Sequence, residues 1–235
     1  MARTRNTAQL AIEFPNTWGG RRPRAGRKRR APRPRVPHRR RAALASRFPV
    51  HVTVRLADGL PRLRGFEVAK VLRRAFVHGC NKGRFRICQF SIQGNHIHLI
   101  CEAADATALA RGIQGFKVRV ARGLNRRWRR EGGVFDDRYH AETLETPRQT
   151  HAALRYVLLN ARHHNVTLPA WCHGVDPFSS AWYFDGWRDD TWRTGLSPPE
   201  DGEGPSVAPA HSWLLRTGWR RHGLIDVADR PGRRA

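Results

Sequence analysis

From Phe48 onward the apolar residues recur with two different periods, and the switching between them sets out the elements. Pro49-Val50-His51-Val52-Thr53-Val54-Arg55-Leu56 alternates with a period of two and is rich in β-branched residues, the pattern of a half-buried strand. Asp58-Gly59 closes it. Between Phe66 and Gly79, the residues Phe66, Val68, Ala69, Val71, Leu72, Ala75 and Phe76 are spaced for one face of a helix. Arg84 to Gln93 alternates as a second strand, Gly94-Asn95 is a hairpin-type break, and His96 to Cys101 is a third strand. A long helix from near Asp105 to Trp128 carries the stripe Leu109, Ile113, Phe116, Val120 and Leu124, and Gly132-Gly133 stops it. A short strand falls within Val134–Leu144. The last helix starts near Thr146-Pro147, where proline suits a first turn, and runs to about His164 with Leu154, Val157, Leu158 and Ala161 inward. The order β-α-β-β-α-β-α predicts an α+β fold: a ferredoxin-like β-α-β-β-α-β core with an added C-terminal helix.

The flanks break this rhythm. Residues 1–47 hold 15 Arg or Lys, one acid (Glu13) and five prolines, too little apolar surface to offset the entropy of ordering, so they are expected to be a disordered basic arm. The folded pattern occupies residues 48–165. Residues 166–235 form a C-terminal extension. It opens with Trp171, Trp182, Trp187 and Trp192 among prolines, expected to be loops and short helices over the core or against DNA. Residues 196–209 read as a linker. Ser212 to Leu224 reads as one short basic amphipathic helix, fit to clasp the core, bind DNA or contact a partner.

Charge narrows the function. Lys and Arg number 44 against 19 Asp and Glu, a net charge of +25, which favours a polyanion and makes nucleic acid the default partner. Only Lys28, Lys70, Lys82 and Lys117 are lysine. Codon bias explains arginine over lysine more easily than it explains the excess over acids. The four cysteines, Cys80, Cys88, Cys101 and Cys172, show no CxxC pair, which argues against a zinc finger or a disulfide framework and for reduced thiols in a cytosolic protein. No apolar run approaches the ~18 residues of a membrane span, and the N-terminus lacks a signal-peptide core, so an intracellular protein without membrane contact is expected.

Two places carry candidate chemistry. His96 and His98 flank one apolar residue on a strand, so they share a face while Ile97 and Leu99 point to the core. Two imidazoles about 6–7 Å apart along a strand can converge on one metal ion or one phosphate. On the last helix, Tyr156, Asn160 and His163 fall at i, i+4 and i+7, a phenol, an amide and an imidazole along one edge beside the buried stripe. Arg119, Arg122, Arg126, Arg127 and Trp128 offer a basic track with a stacking aromatic for single-stranded DNA, or else a solvated helix face. Tyr139, in Asp136-Asp-Arg-Tyr-His140, is a rival nucleophile that lacks an Asn one turn on.

His51-Val-Thr-Val-Arg55, Gly94-Asn-His-Ile-His-Leu99 and Tyr156-Val-Leu-Leu-Asn160, in that order and spacing, resemble the single-tyrosine HUH transposases, in particular the insertion sequence 200-like and REP-associated tyrosine transposases. The resemblance covers roughly residues 48–165. It implies a bacterial, cytoplasmic, nucleoid-associated DNA transposase, monomer or homodimer, acting on single-stranded DNA with hairpins. It makes the last helix a nucleophile helix. Tyr156 would attack a phosphodiester, form a 5′-phosphotyrosine bond and free a 3′-OH. His96, His98 and the Asn160 amide oxygen would hold a divalent metal ion. Two imidazoles and an amide suit Mn²⁺ more than Mg²⁺ by ligand type, and Mg²⁺ fits with water and phosphate oxygens completing its octahedron. The chain departs from the family in its basic arm, in its Trp-rich extension, and at Ala161, where many relatives have proline; that alanine is expected to lengthen the helix. Two other readings remain: a non-catalytic nucleic-acid-binding relative, and a two-histidine phosphoesterase, for which His51-Val-Thr53 supplies one HxT motif but His96-Ile-His98 does not supply the second.

Overall fold

The fold is built on a sheet whose two faces have opposite character. The computed structural model describes residues 42–136, 138–164, 166–168, 170–194, 196–197 and 204–231. The expected arm, residues 1–47, lies outside these but for its last six. The elements follow the sequence pattern closely: β1 (Val50–Arg55), α1 (Phe66–Val77), β2 (Phe85–Ile92), β3 (His96–Ala103), α2 (Ala106–Trp128), β4 (His140–Thr143), α3 (Pro147–Leu158) and α4 (Asn160–His163). The strands pair antiparallel in the order β2-β3-β1-β4, so the second and third strands are a hairpin and the first lies between third and fourth. This is the ferredoxin-like α+β core.

On one face, Val50, Val52 and Val54 of β1 and Ile97, Leu99 and Cys101 of β3 are buried against Leu72 and Phe76 of α1 and Ile113, Phe116 and Val120 of α2. On the other face, Ile100 and the bulged Cys88 pack against Leu154, Val157 and Leu158 of α3 and against Trp187, Trp192 and Trp219 of the extension. The helices form where the sequence supplies ends as well as stripes. Asp105 caps α2 by accepting from Ala108 N–H. Thr146 and Gln149 form a reciprocal capping box on α3, with Pro147 in its first turn.

Two boundaries differ from expectation, and a third falls where expected for another reason. The long helix ends at Trp128, but Arg129, turning left-handed at φ 50°, ends it before Gly132-Gly133 is reached. The last helix is interrupted: Leu159, at φ −107° and ψ 19°, separates α3 from the single turn of α4, which holds Ala161 and reaches His163. Ser212–Leu224 is not one helix but α5 (Trp213–Arg216) and a 3₁₀ turn over Gly218–His222. Gly218 sits so close under the Trp213 ring that a β-carbon there would lie 2.6 Å from it, and the break lets Trp219 turn fully into the core.

Part of the expected linker is also packed. Ser206, Val207 and Ala208 are buried, and Ala208 N–H donates to the Ile87 carbonyl at 2.8 Å. The buried Glu102 carboxylate, at the far end of β3, accepts from His211 N–H at 2.9 Å and Ser212 N–H at 2.7 Å. That charged anchor holds the start of α5 on the sheet.

Two glycines on α2 have opposite surroundings, and the difference is testable. A β-carbon on Gly112 would lie 2.1 Å from the Phe85 ring, whereas one on Gly115 would meet only the Arg119 guanidinium, at 3.3 Å. Gly112→Ala is expected to destabilise the protein by about 1–3 kcal/mol through overpacking. Gly115→Ala is expected to be neutral or to stabilise by up to about 1 kcal/mol, because the flexible arginine can yield and alanine favours helix. Urea unfolding of the two variants measures both signs.

Candidate active site

The period of two puts the chemistry on the face that α3 covers. His51 and Thr53 of β1, and His96 and His98 of β3, alternate with the buried apolar residues, so all four point to the α3 side. Register brings them together, with Thr53 opposite His98 and Arg55 opposite His96. His140 and Glu142 of β4 pair with Thr53 and His51 and share this face.

The imidazoles form a hydrogen-bonded chain. His96 Nδ1 lies 2.9 Å from Asn95 Oδ1, which can only accept, so Nδ1 carries the proton and Nε2 a lone pair. His98 Nε2 lies 3.0 Å from His96 Nε2 and therefore donates to it. His98 Nδ1 is then an acceptor, with Thr53 Oγ1 at 3.1 Å and His51 Nε2 at 3.2 Å able to donate.

Tyr156 closes the cluster from α3. Its ring lies 5.1 Å from the His98 ring and 5.9 Å from His51, edge-on to both, and 5.4 Å from His163. His164 reaches the His96 ring at 6.3 Å. Asn160 lies between Tyr156 and His164 along the chain. It is fully buried, and neither its Oδ1 nor its Nδ2 has a hydrogen-bond partner among the described residues. A buried unpaired amide costs free energy, so it marks a position held for something else. His163 Nδ1 is tied to the Pro231 carbonyl at 3.0 Å, and Arg155 pairs with Asp229 at 3.1 Å, so the chain's last described residues run along α3 and α4.

The remaining sequence candidates lie elsewhere. Arg119, Arg122, Arg126 and Arg127 are exposed on α2, which covers the opposite face of the sheet from Tyr156. Arg119 lines a hollow of about 310 Å³ with Lys82, Arg84 and Arg111. Trp128 is half-buried and packs against the α1/α2 core. Tyr139, the rival nucleophile, is buried in that same core, away from the histidines. His51 and Thr53 were cited for their motif without a role at the site. Alternation along the first strand placed them on the face opposite Val50, Val52 and Val54, but their partner needed the β1–β3 register.

Burial disfavours protonation at two of these rings. Burial pushes the His96 imidazole down to about 4, helped by the nearby His164 and Arg55. Burial also lowers His164, with His163 adding to it. Below pH 6.5 an unfolded His96 takes up a proton that the folded ring refuses until about pH 4. The stability contributed by this neutral ring is therefore complete above pH 6.5 and is lost as pH falls toward 4. His96 ring resonances should titrate with a midpoint near 4, and His96→Gln should flatten the fall in stability across that window.

Among the described residues, no three His, Cys, Asp or Glu side chains converge as a metal cluster, so an ion here would need the Asn160 amide and non-protein oxygens beside the two histidines. No helix among them is long and apolar enough to cross a membrane. No curated protein matches the chain. A solved structure described as a REP-associated tyrosine transposase bound to a REP hairpin superimposes with a TM-score of 0.51 at 14% identity, covering 75% of this chain and 100% of that one. Residues 47–159 match the model of the family described as IS200-like transposases, a span that holds β1 through α3 with all of His51, His96, His98 and Tyr156. Over that domain, just under half of its length, the chain is similar to the IS200-like transposases.

Proposed function

We propose that the protein cuts and rejoins single-stranded DNA bearing hairpins, with Tyr156 as nucleophile and a 5′-phosphotyrosine intermediate. The observation that carries this reading is the meeting of Tyr156, from α3, with the His98 ring at 5.1 Å, from a strand almost sixty residues earlier. The family supplies the reaction class, transposition of DNA. The structure of its neighbour holds a REP hairpin, which motivates the hairpin substrate.

In this reading the Tyr156 oxygen gives up its proton and bonds to phosphorus. The bond from phosphorus to the 3′ oxygen breaks, and that oxygen leaves as a 3′-hydroxyl after taking a proton. Attack by another 3′-hydroxyl reverses the step and regenerates the phenol, so no external energy source is needed. His96, His98 and Asn160 would hold a divalent ion, Mg²⁺ or Mn²⁺, which when bound supplies charge to polarise the phosphate. The donor set fits. The two Nε2 atoms are 3.0 Å apart, close enough to face one ion together. The unpaired Asn160 amide adds a third donor. For both Nε2 atoms to present lone pairs, His98 must carry its proton on Nδ1, and Thr53 Oγ1 or His51 Nε2 can accept it there. Arg55, beside His96, adds a fixed cation for the phosphate.

The test uses 5′- and 3′-labelled single-stranded hairpin oligonucleotides taken from the DNA flanking the gene. The wild type should form an SDS-resistant adduct with Mn²⁺ or Mg²⁺ and none in EDTA. Tyr156→Phe should abolish the adduct. His98→Ala and Asn160→Ala should slow cleavage by about a hundredfold, the rate equivalent of roughly 3 kcal/mol. Salt-sensitive binding without an adduct under any metal would point instead to a non-catalytic binding protein. Cleavage retained in Tyr156→Phe would point to a hydrolytic phosphoesterase.

A further inference from the structure

A second hollow opens off the outer edge of β2, with a volume of about 300 Å³, enough for a nucleobase. Its mouth is set by two of the most exposed large apolar side chains in the described residues, Phe66 at 57% and Trp171 at 53%. Their rings are 6.1 Å apart, and Phe178 backs Phe66 at 5.3 Å. Deeper in, Trp182 and Trp192 meet edge to face at 5.5 Å. Trp192 is 8% exposed, and its indole N–H has no hydrogen-bond partner among the described residues. On the α1 side Lys70 is exposed, 3.2 Å from Glu67, while Arg73 is buried in the wall and donates to the Pro177 carbonyl.

This wall is fastened to the hairpin that presents His96. Arg64 stacks on Phe178 at 4.6 Å, grips Asp176 with both terminal nitrogens at 2.9 Å, and donates to the Ile92 carbonyl at 3.0 Å. Ile92 N–H donates to the Phe178 carbonyl at 2.8 Å, and Ser179 bridges Ser91. Ser91 is the cross-strand partner of His98, so Ser179 lies two strand spacings, about 10 Å, from the active-site strand.

Exposed aromatic rings at a mouth, an unpaired indole N–H in the buried wall, and one exposed lysine beside them are parts suited to binding one flat, hydrogen-bonding ring on a polyanionic chain. A sealed apolar core would not leave Phe66 and Trp171 in water. A peptide carbonyl would pair with the N–H equally well; the net charge of +25 is what favours a polyanionic strand. We infer that this hollow receives a single unpaired nucleobase from the DNA strand that flanks the scissile phosphate, stacking it on Phe66 and Trp171 and reading one edge through Trp192. The inference rests on the DNA reading of the site above. It adds a place where strand identity, and not only strand charge, is recognised.

The probes are a fluorescein-labelled 20-nucleotide single strand of mixed sequence and the blunt duplex of the same sequence. Trp171→Ala and Phe66→Ala, both exposed enough to leave the fold intact, are each expected to weaken single-strand binding by about tenfold and duplex binding by less than twofold. Trp192→Phe, which keeps an aromatic ring and removes the donor, is expected to weaken single-strand binding severalfold. With 5-iodo-deoxyuridine in the strand, irradiation should crosslink the wild type at Trp171 or Phe66, read by mass spectrometry. Unchanged single-strand binding in these variants, or equal losses on both probes, would overturn the pocket and leave the DNA reading standing. A wild type that binds neither probe would overturn the DNA reading itself, and the pocket with it.

Discussion

The structure depends on one constraint: side chains on a strand alternate, so a strand that must seal a core on one face has no choice about the other. Val50, Val52 and Val54, with Ile97, Leu99 and Cys101, are almost fully excluded from water beneath α1 and α2. Their burial fixes the register of β1 against β3, because a slip of one residue would turn all of them outward. The same register delivers His51, Thr53, His96 and His98 to one side of the sheet and within hydrogen-bond reach of one another. The site is thus held by hydrophobic burial that its own residues take no part in.

The second face needs a cover, and two parts of the chain supply it. α3 brings Tyr156 over the histidines and buries Leu154, Val157 and Leu158 farther along the sheet. The extension completes the layer through Trp187, Trp192 and Trp219, with Glu102 anchoring its return over β3. A carboxylate this deep is tolerable because it accepts from backbone N–H groups of His211 and Ser212. The polar end of the sheet face, where the histidines lie, and the apolar end, where the tryptophans lie, are two halves of one surface.

The core and the helix that carries Tyr156 are legible because they follow from periodicity, and periodicity is local. The elements from β1 through α3 appear where apolar spacing places them, within a residue or two for the first three strands, the first two helices and the start of α3. What could not be read was whatever depends on packing between distant segments. Arg129 ending α2, Leu159 breaking the last helix, and Trp219 pulling residues 213–222 into two turns have no periodic signature. The same holds at the site. The alignment of Tyr156 with Asn160 is visible in a spacing of four, but the chain of imidazoles through His51 needs the pairing of two strands separated by α1 and β2. Arg126 and Arg127 looked suited to the substrate by composition alone, and only topology shows that their helix covers the other side of the sheet.

The break at Leu159 has a mechanical meaning. Tyr156 belongs to α3, which is clamped to the sheet by its buried leucines and by the ion pair of Arg155 with Asp229. Asn160 belongs to α4, whose Arg162 is tied to the Gly174 carbonyl in the loop that carries Trp171. Phenol and amide, one turn apart in sequence, are therefore fastened to different parts of the molecule. The spacing of phenol and amide is thus set from two sides, by the sheet under α3 and by the loop that follows Trp171.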